Sequence, residues 1–379
     1  MLDLVAGTPD EKLLAAITKF TNLLLSGHLP INIREIIFGG RLIALKKKDG
    51  EIFPTRLAAK CANRHVIERR SSELSPIQVG VGVSGEAEVH SICRVVDNMP
   101  DDHVLVKLDF VNAFNSVRRD TILESTANNI PELYKFVLAS HSCEAKLVFG
   151  EHIVLSREGS QQGDPLSAVE FCNAIHPTLL SCDARTKLGY MDDVKLEGQV
   201  QIVAADIQTI IDAHSKTGLR LNPSKCEIVC SNFDVIKNYP VFDGFKKVEK
   251  EDFNLLGSPV LKCPAVDKAL DNKVTELKSA IGRLSLLHAH DALCLLRNAL
   301  AMPKLLYILR TAPCSNNPRL SIFDDTLRQG LSTILNVNLS DDQWLQASLP
   351  VQKGGLGIRS AGMLESSAYL ASAAATLRL

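Results

Sequence analysis

A chain of 379 residues is long enough for two or three packed units around sizeable cores, which excludes the small scaffolds that need disulfide or metal staples. A formal net charge of −1 excludes a global basic field, so any nucleic-acid contact has to come from local basic clusters. The ten cysteines include no CxxC pair and sit mostly among apolar residues, the pattern of reduced, buried thiols in an intracellular protein. Cys226 and Cys230 have the spacing of ligands on one helical turn, but no second Cys/His pair completes a tetrahedral set. No basic region precedes an apolar run at the N-terminus, and nowhere do about 18 uncharged apolar residues follow one another. Secretion and membrane partners are therefore disfavoured, with nucleus and cytoplasm both open.

In chain order, Thr8-Pro9-Asp10-Glu11 has the form of a capping box with proline at the first helical position, and Leu13, Leu14, Ile17, Phe20 and Leu24 continue at helical spacing until Gly27. Arg41–Phe53 reads as an apolar strand entering a basic Asp-Gly hairpin, whose Lys46, Lys47 and Lys48 serve either phosphates or solubility. Leu57–Arg70 is expected to be helical, Pro76–Gly85 glycine-rich and irregular, and Glu88–Asp97 helical again. Val104–Leu108 is a β-rich run that ends in Asp109, and a helix is expected to start near Ser116. A carboxylate at the end of a buried strand is held rigidly by the strand yet faces a loop, a common setting for catalysis.

Between 130 and 160 the pattern turns strand-like, with Ala145–Phe149 and His152–Leu155 joined by Gly150-Glu151. The polar loop Glu158–Ser167 follows; its Gly163 permits close backbone approach and its Pro165 opens a helix. Leu188, Tyr190, Val194 and Leu196 flank two adjacent acids, so Lys187–Leu196 reads as two short strands with Asp192-Asp193 at the turn. Two acids held together repel, and a shared hard cation such as Mg²⁺ is the natural relief. Val203–Lys216 is helical by period, Thr217–Val229 turns into a strand, and Phe253–Ser258 is a short strand and turn. Beyond Pro264, apolar residues recur at three- and four-residue steps, through Leu295–Leu309 and Phe323–Leu335, as a helical bundle with a boundary near 260.

This order of elements resembles the palm of reverse transcriptases, especially those of non-LTR (LINE-type) retrotransposons. Lys107–Ser116 looks like their first acidic motif, Gln161–Leu166 like their template and nucleotide loop, and Tyr190-Met191-Asp192-Asp193 like their catalytic hairpin. Gly218–Lys225 is similar to the fourth motif, Leu255-Leu256-Gly257 to the primer grip, and Lys353–Arg359 to the region after the thumb. The resemblance implies an α+β, right-hand polymerase fold with fingers at 1–95 and 118–165, a palm at 96–117 and 166–258, and a helical thumb and connection at 259–379. It implies an RNA-directed DNA polymerase that uses an RNA template, a DNA primer and dNTPs, with two Mg²⁺ ions, or Mn²⁺ in their place, stabilising the attacking and leaving oxygens.

The residues carried over are Asp109, Asp192 and Asp193 as metal ligands, the first two for both ions and the third in support. Lys225 is a candidate to protonate the pyrophosphate. Phe110, Phe114, Gln162, Gly163 and Tyr190 are the implied nucleotide and primer-end contacts. Phe114 would exclude a ribose 2′-hydroxyl, or act as a core aromatic, or both. Two departures stand out. The family's Arg-Pro step and the strand after it are replaced by Phe53-Pro54-Thr55-Arg56, so part of the fingers is expected to be missing, with Arg56 as a substitute. Glu170 stands where an apolar helix face is expected, and unpaired there it would destabilise the fold. A catalytically dead relic with a nucleic-acid-binding or scaffold role is the alternative reading of both departures.

Overall fold

The computed structural model describes residues 11–41, 54–83, 86–161, 163–260 and 264–376. It divides into two compact units: Met1–Ser84, Val104–Ile228 and Asp234–Lys246 in the first, Gly85–His103, Val229–Phe233 and Lys247–Leu379 in the second.

In the first unit, α1 (Glu11–Leu25) is the expected first helix; the Thr8 capping box lies outside the described residues. Gly27 closes the helix at φ +70°, and a Cβ there would fall 2.3 Å from the Lys135 carbonyl, so only glycine fits. Next come α2 (Ile31–Ile37) and β1 (Gly40–Arg41); the lysine-rich hairpin expected after Arg41 also lies outside the described residues. α3 (Pro54–Leu74) extends the Leu57–Arg70 expectation at both ends, and α4 (Glu86–Asp97) belongs to the second unit.

β2 (His103–Leu108) carries Val104, Leu105, Val106 and Leu108 at 0% exposure, which explains its unbroken apolar run: a central strand is covered on both faces. The helix expected near Ser116 is two helices, α5 (Ala113–Ser116) and α6 (Arg119–Asn129), so Ser116 ends a turn of helix instead of capping a long one. The strand-like reading from 130 is also corrected, because α7 (Tyr134–His141) buries Phe136, Val137 and Ala139. The β-branched residues that suggested strand lie farther on, in β3 (Ala145–Phe149) and β4 (His152–Ser156), which pair antiparallel, while β1 pairs parallel with β3.

α8 (Ser167–Leu180) leads to the hairpin β5 (Thr186–Tyr190) and β6 (Asp193–Gln199). α9 (Val200–Lys216), a 3₁₀ turn at Pro223–Lys225, β7 (Glu227–Val229) and the edge strand β8 (Lys246–Val248) complete the sheet, whose strand order is β5-β6-β2-β7-β8. That order sets β2 between β6 and β7, although these three strands are distant in sequence.

In the second unit, β9 (Asn254–Leu255) and β10 (Ser258–Pro259) form a tight hairpin. Leu256 at φ +48° and Gly257 at φ +80° make its turn. The helices α10 (Pro264–Leu284), α11 (Ala289–Leu295), α12 (Met302–Thr311), α13 (Pro318–Leu335), α14 (Asp341–Ser348) and α15 (Ala361–Ala375) surround one apolar core, in which Leu296, Leu305, Leu309, Leu327 and Leu331 are fully buried. Ala289–Thr311 is long and apolar enough to cross a bilayer by length and composition alone; here a π-helical turn at Leu296–Leu300 interrupts it, and Leu296, Leu305 and Leu309 are buried in that core. The unit begins earlier than the expected boundary near 260. The reason lies in α4, whose His90 Nε2 sits 2.9 Å from the Arg310 carbonyl and 3.0 Å from Ser372 Oγ, and whose Cys93 thiol donates to the Val260 carbonyl at 2.8 Å.

Candidate active site

Asp109 follows the last residue of β2 and is locked through its backbone from the β7 side. Its N–H donates to Cys226 Sγ at 3.3 Å, and its carbonyl accepts from the Asn222 N–H at 2.8 Å. The next pairings, the Phe110 bridge to Leu221 and the Val111 N–H to the Arg220 carbonyl at 2.9 Å, continue the ladder into the loop. The side chain is not tied in this way. Asp109 Oδ1 is buried without a hydrogen-bond partner among the described residues, a costly state for a carboxylate oxygen unless a cation or water meets it.

On the other side of β2, the β5–β6 hairpin pairs Tyr190 with Asp193, so its two turn residues are Met191 and Asp192. The expectation of Asp192-Asp193 at the turn is corrected by one residue: Asp193 opens strand β6. Met191 adopts φ +57°, a left-handed conformation that a long side chain takes only when its surroundings hold it there. Gln78 does the holding. Its fully buried amide receives the Met191 N–H at Oε1 (3.2 Å) and donates from Nε2 to the Met191 carbonyl (3.1 Å), while the Cys172 thiol donates to Oε1 at 3.4 Å. Backbone bonds on either side, Val79 N–H to Gly189 O at 2.8 Å and Gly189 N–H to Ile77 O at 2.7 Å, fix the same contact. Glycine at 80 is required because a Cβ would come within 2.6 Å of the Met191 nitrogen. The stretch that reads as irregular in the sequence is therefore a clasp on the turn before Asp192. Its signal was a lone glutamine within an apolar, glycine-rich run.

Burial, followed by the neighbouring Asp193 and Asp109 charges, pushes the Asp192 carboxyl above its ordinary range, although its own backbone hydrogen bond opposes the shift. The three acids thus share one electrostatic neighbourhood. Asp193 has a compensating cation that the sequence reading missed: Lys195 is fully buried, with Nζ 3.0 Å from Asp193 Oδ1 and 3.0 Å from the Asp193 carbonyl. Strand alternation puts Lys195 on the face opposite Val194 and Leu196. Among the described residues no three His, Cys, Asp or Glu side chains close around one point as a metal cage. Mg²⁺ does not require one, since it keeps several waters and takes one or two carboxylates beside substrate phosphates. Asp109, with its orphaned oxygen, and Asp192 fit that role, while Asp193 is turned to Lys195.

The implied nucleotide residues are distributed unevenly. Phe114, half-buried, stacks on Phe171 with ring centroids 4.5 Å apart and planes 22° apart, so it has a core contact and an accessible part together. Phe110 is 6% exposed and packs on the His214 ring at 5.2 Å, leaving only its backbone for any ligand. Gly163 is exposed at φ +87°, and Arg56 Nη2 donates to its carbonyl at 3.3 Å, bringing the expected substitute arginine to the nucleotide loop. Gln162 lies outside the described residues. Tyr190 is half-buried beside the turn. Lys225 is exposed on the 3₁₀ turn that follows Asn222, the residue bonded to the Asp109 backbone.

Glu170 overturns the expectation of an unpaired buried acid. It is 4% exposed on α8, and its Oε2 accepts from Ser160 Oγ at 2.6 Å and lies 3.2 Å from His141 Nε2. Burial pushes the carboxyl up, but His141 and the Ser160 hydrogen bond outweigh it and hold Glu170 below the usual carboxylate range. Nearby Asp164 is pushed up to about 6, first by burial and then by the Glu170 charge.

The mixed helix–sheet scaffold, with Asp109 at the end of β2 and the Asp192 turn entering the adjacent β6, has a right-hand polymerase fold. The chain belongs to the reverse transcriptase (RNA-dependent DNA polymerase) family, whose profile matches residues 45–260, more than half of its length. Among solved structures it is similar to an apo telomerase from Candida tropicalis truncated from its C-terminal domain, at 16% identity and a TM-score of 0.35, over 44% of this chain and 39% of that one. No curated protein matches the sequence.

Proposed function

We propose that this chain is an RNA-directed DNA polymerase of a non-LTR (LINE-type) retrotransposon lineage, adding dNTPs to a primer 3′-hydroxyl on an RNA template. The observation that carries the reading is that Asp109, at the end of β2, and Asp192, in the turn entering the adjacent strand β6, interact through their charges, with one Asp109 oxygen unsatisfied. The lineage rests on the motif order and on the stretches Gly218–Lys225 and Lys353–Arg359.

Asp109 and Asp192 would hold the two Mg²⁺ ions, which when bound stabilise the attacking and leaving oxygens of an in-line displacement. The protein's own contribution is positioning. The Gln78 clasp sets the turn that aims Asp192, and the β7-side ladder sets Asp109. Lys195 offsets the Asp193 charge, so that two of the three acids face the substrate. Phe114, backed by Phe171, would meet the sugar where a 2′-hydroxyl distinguishes ribose from deoxyribose. The Gly163 backbone with Arg56 would meet the triphosphate, and Lys225 would give a proton to the departing pyrophosphate. The fingers (1–95, 118–165), palm (96–117, 166–258) and helical thumb and connection (259–379) are part of the same proposal.

The test is extension of a DNA primer annealed to RNA, with Mg²⁺ and dNTPs, by wild type and by Asp192→Asn. Extension by wild type with a loss of about 10³-fold in the variant supports the reading. A folded wild type that extends nothing with either Mg²⁺ or Mn²⁺ leaves a catalytically dead relic.

A further inference from the structure

The nucleotide loop is reached from behind by a polar network that the catalytic carboxylates do not use. Ser160 Oγ donates to Glu170 Oε2 and lies 2.7 Å from Ser167 Oγ, which in turn donates to the Gln161 carbonyl at 2.6 Å. Gln161 Nε2 donates to the Phe38 carbonyl at 2.9 Å. The Ser160 N–H donates to the Phe114 carbonyl at 2.8 Å, and the Gly159 N–H to the Val117 carbonyl at 3.1 Å. Arg119 closes the other flank, donating to Gly159 O at 3.3 Å, Cys143 O at 3.1 Å and Ser156 Oγ at 2.9 Å. Ser160 is thus one joint between the segment leading to Gly163 and the segment bearing Phe114.

Packing alone does not hold this joint. A cavity of about 40 Å³, room for water, lies behind the loop and is lined by Ser160, Gln161, Asp164, His141, Arg119 and Glu170 among others. On the face of α8 that carries Glu170, Leu166 and Ala174 are apolar but Ser167 and Asn173 are buried polar groups, so the acid faces a partly polar interior. A buried carboxylate with its hydrogen-bond partners is weak support for stability compared with apolar residues of similar volume. What the acid adds is direction, because its hydrogen bond runs to the loop.

We propose that Glu170, with His141 beside it, is a positioning residue for the incoming nucleotide, acting through Ser160 to fix Gln161 and the Phe114 segment relative to each other. The inference rests on the polymerase reading above. It assigns a role to the one acid on α8 that otherwise reads as damage.

The test combines single-nucleotide addition on primed RNA with hydrogen–deuterium exchange, for wild type, Glu170→Ala, Glu170→Gln, Ser160→Ala and the Ser160/Glu170 double alanine variant. Glu170→Ala is expected to raise the dNTP KM about tenfold with kcat within about threefold, and to lower the preference for dNTP over rNTP. Glu170→Gln recovers part of the loss, because its amide oxygen still accepts from Ser160. The double variant is no worse than the worse single, as residues acting in series require. In exchange, amides at 159–167 open about tenfold faster in Glu170→Ala while those of β5 and β6 are unchanged. A melting temperature that falls with KM and sugar preference unmoved, or additive effects of Ser160 and Glu170, would overturn the proposal. A wild type without turnover fails the polymerase reading and the nucleotide half of this one together. Unchanged exchange at 159–167 in a folded variant fails the tie itself, whether or not the enzyme turns over.

Discussion

The turn before Asp192 and the loop before Gly163 lie in the same unit and are held by opposite means. The turn is clasped by a neutral amide: Gln78 gives and takes one hydrogen bond each with Met191, and backbone bonds on either side complete the grip. The loop is held by the Glu170 carboxylate, with Ser160 and His141 Nε2 beside it, and by the Arg119 guanidinium, over a small cavity. Among the three mutually repelling carboxylates the charge is offset by Lys195 at Asp193, while the clasp on the turn is neutral and fixes geometry without adding to that balance. Farther away, at the loop, charged groups give directional ties that a packed apolar helix face cannot. The difference teaches that the turn carrying Asp192 is set by neutral hydrogen bonds, and the loop leading to Gly163 by ties to a carboxylate and a guanidinium.

The sharpest way to break that contrast is Gln78→Leu. It leaves the Met191 N–H and carbonyl without partners, and the expected loss is about 2–4 kcal/mol of stability together with about 10²-fold in kcat, since a displaced Asp192 misaligns the reaction. The dNTP KM should barely move, the reverse of the pattern expected for Glu170. Denaturant melts beside steady-state dNTP titrations check both halves. A KM effect larger than the kcat effect would mean that Gln78 serves the nucleotide and not the carboxylate.

A second prediction asks whether Asp109 also has neutral backing. His214, behind Phe110, is 1% exposed, and neither ring nitrogen has a partner among the described residues. Burial pushes its pKa down to about 4 from 6.5. The unfolded chain therefore binds the extra proton first as pH falls. The stability this histidine contributes is whole above about pH 6.5 and is lost as pH drops toward 4, by about 3 kcal/mol in all. His214→Phe keeps an apolar ring on Phe110 and should flatten this acid limb in melts between pH 4 and 7. An unchanged limb would show that the ring is solvated and that Asp109 lacks this backing.

The same contrast governs what the sequence made legible. β2 with Asp109 at its end and the β5–β6 hairpin were readable, because their apolar runs have strand period and their acids stand at the strand ends. Glycine at 27 and 163 was readable as backbone freedom. Gln78 was not, since a polar residue in a glycine-rich stretch looks like loop until the fold lays it against a turn far along the chain. Lys195 was hidden for the same reason: strand alternation shows that it faces away from Val194 and Leu196, but not that Asp193 lies within reach. Glu170 was noticed and misjudged, because a carboxylate on an apolar helix is unfavourable only without partners, and Ser160 and His141 arrive from other elements. α7 was missed because aromatic and β-branched residues such as Phe136 and Val137 favour strands locally, and only burial against the neighbouring helices makes the segment helical.

The most direct test of the central claim is the rate of single-nucleotide addition by Asp109→Asn, measured beside wild type on a primed RNA template across a Mg²⁺ titration. If Asp109 and Asp192 together hold the catalytic ions, Asp109→Asn falls about 10³-fold, matching Asp192→Asn, and saturating Mg²⁺ does not restore it. A variant that keeps wild-type rates once Mg²⁺ is raised would contradict the account, placing Asp109 outside the reacting centre and leaving its unsatisfied oxygen unexplained.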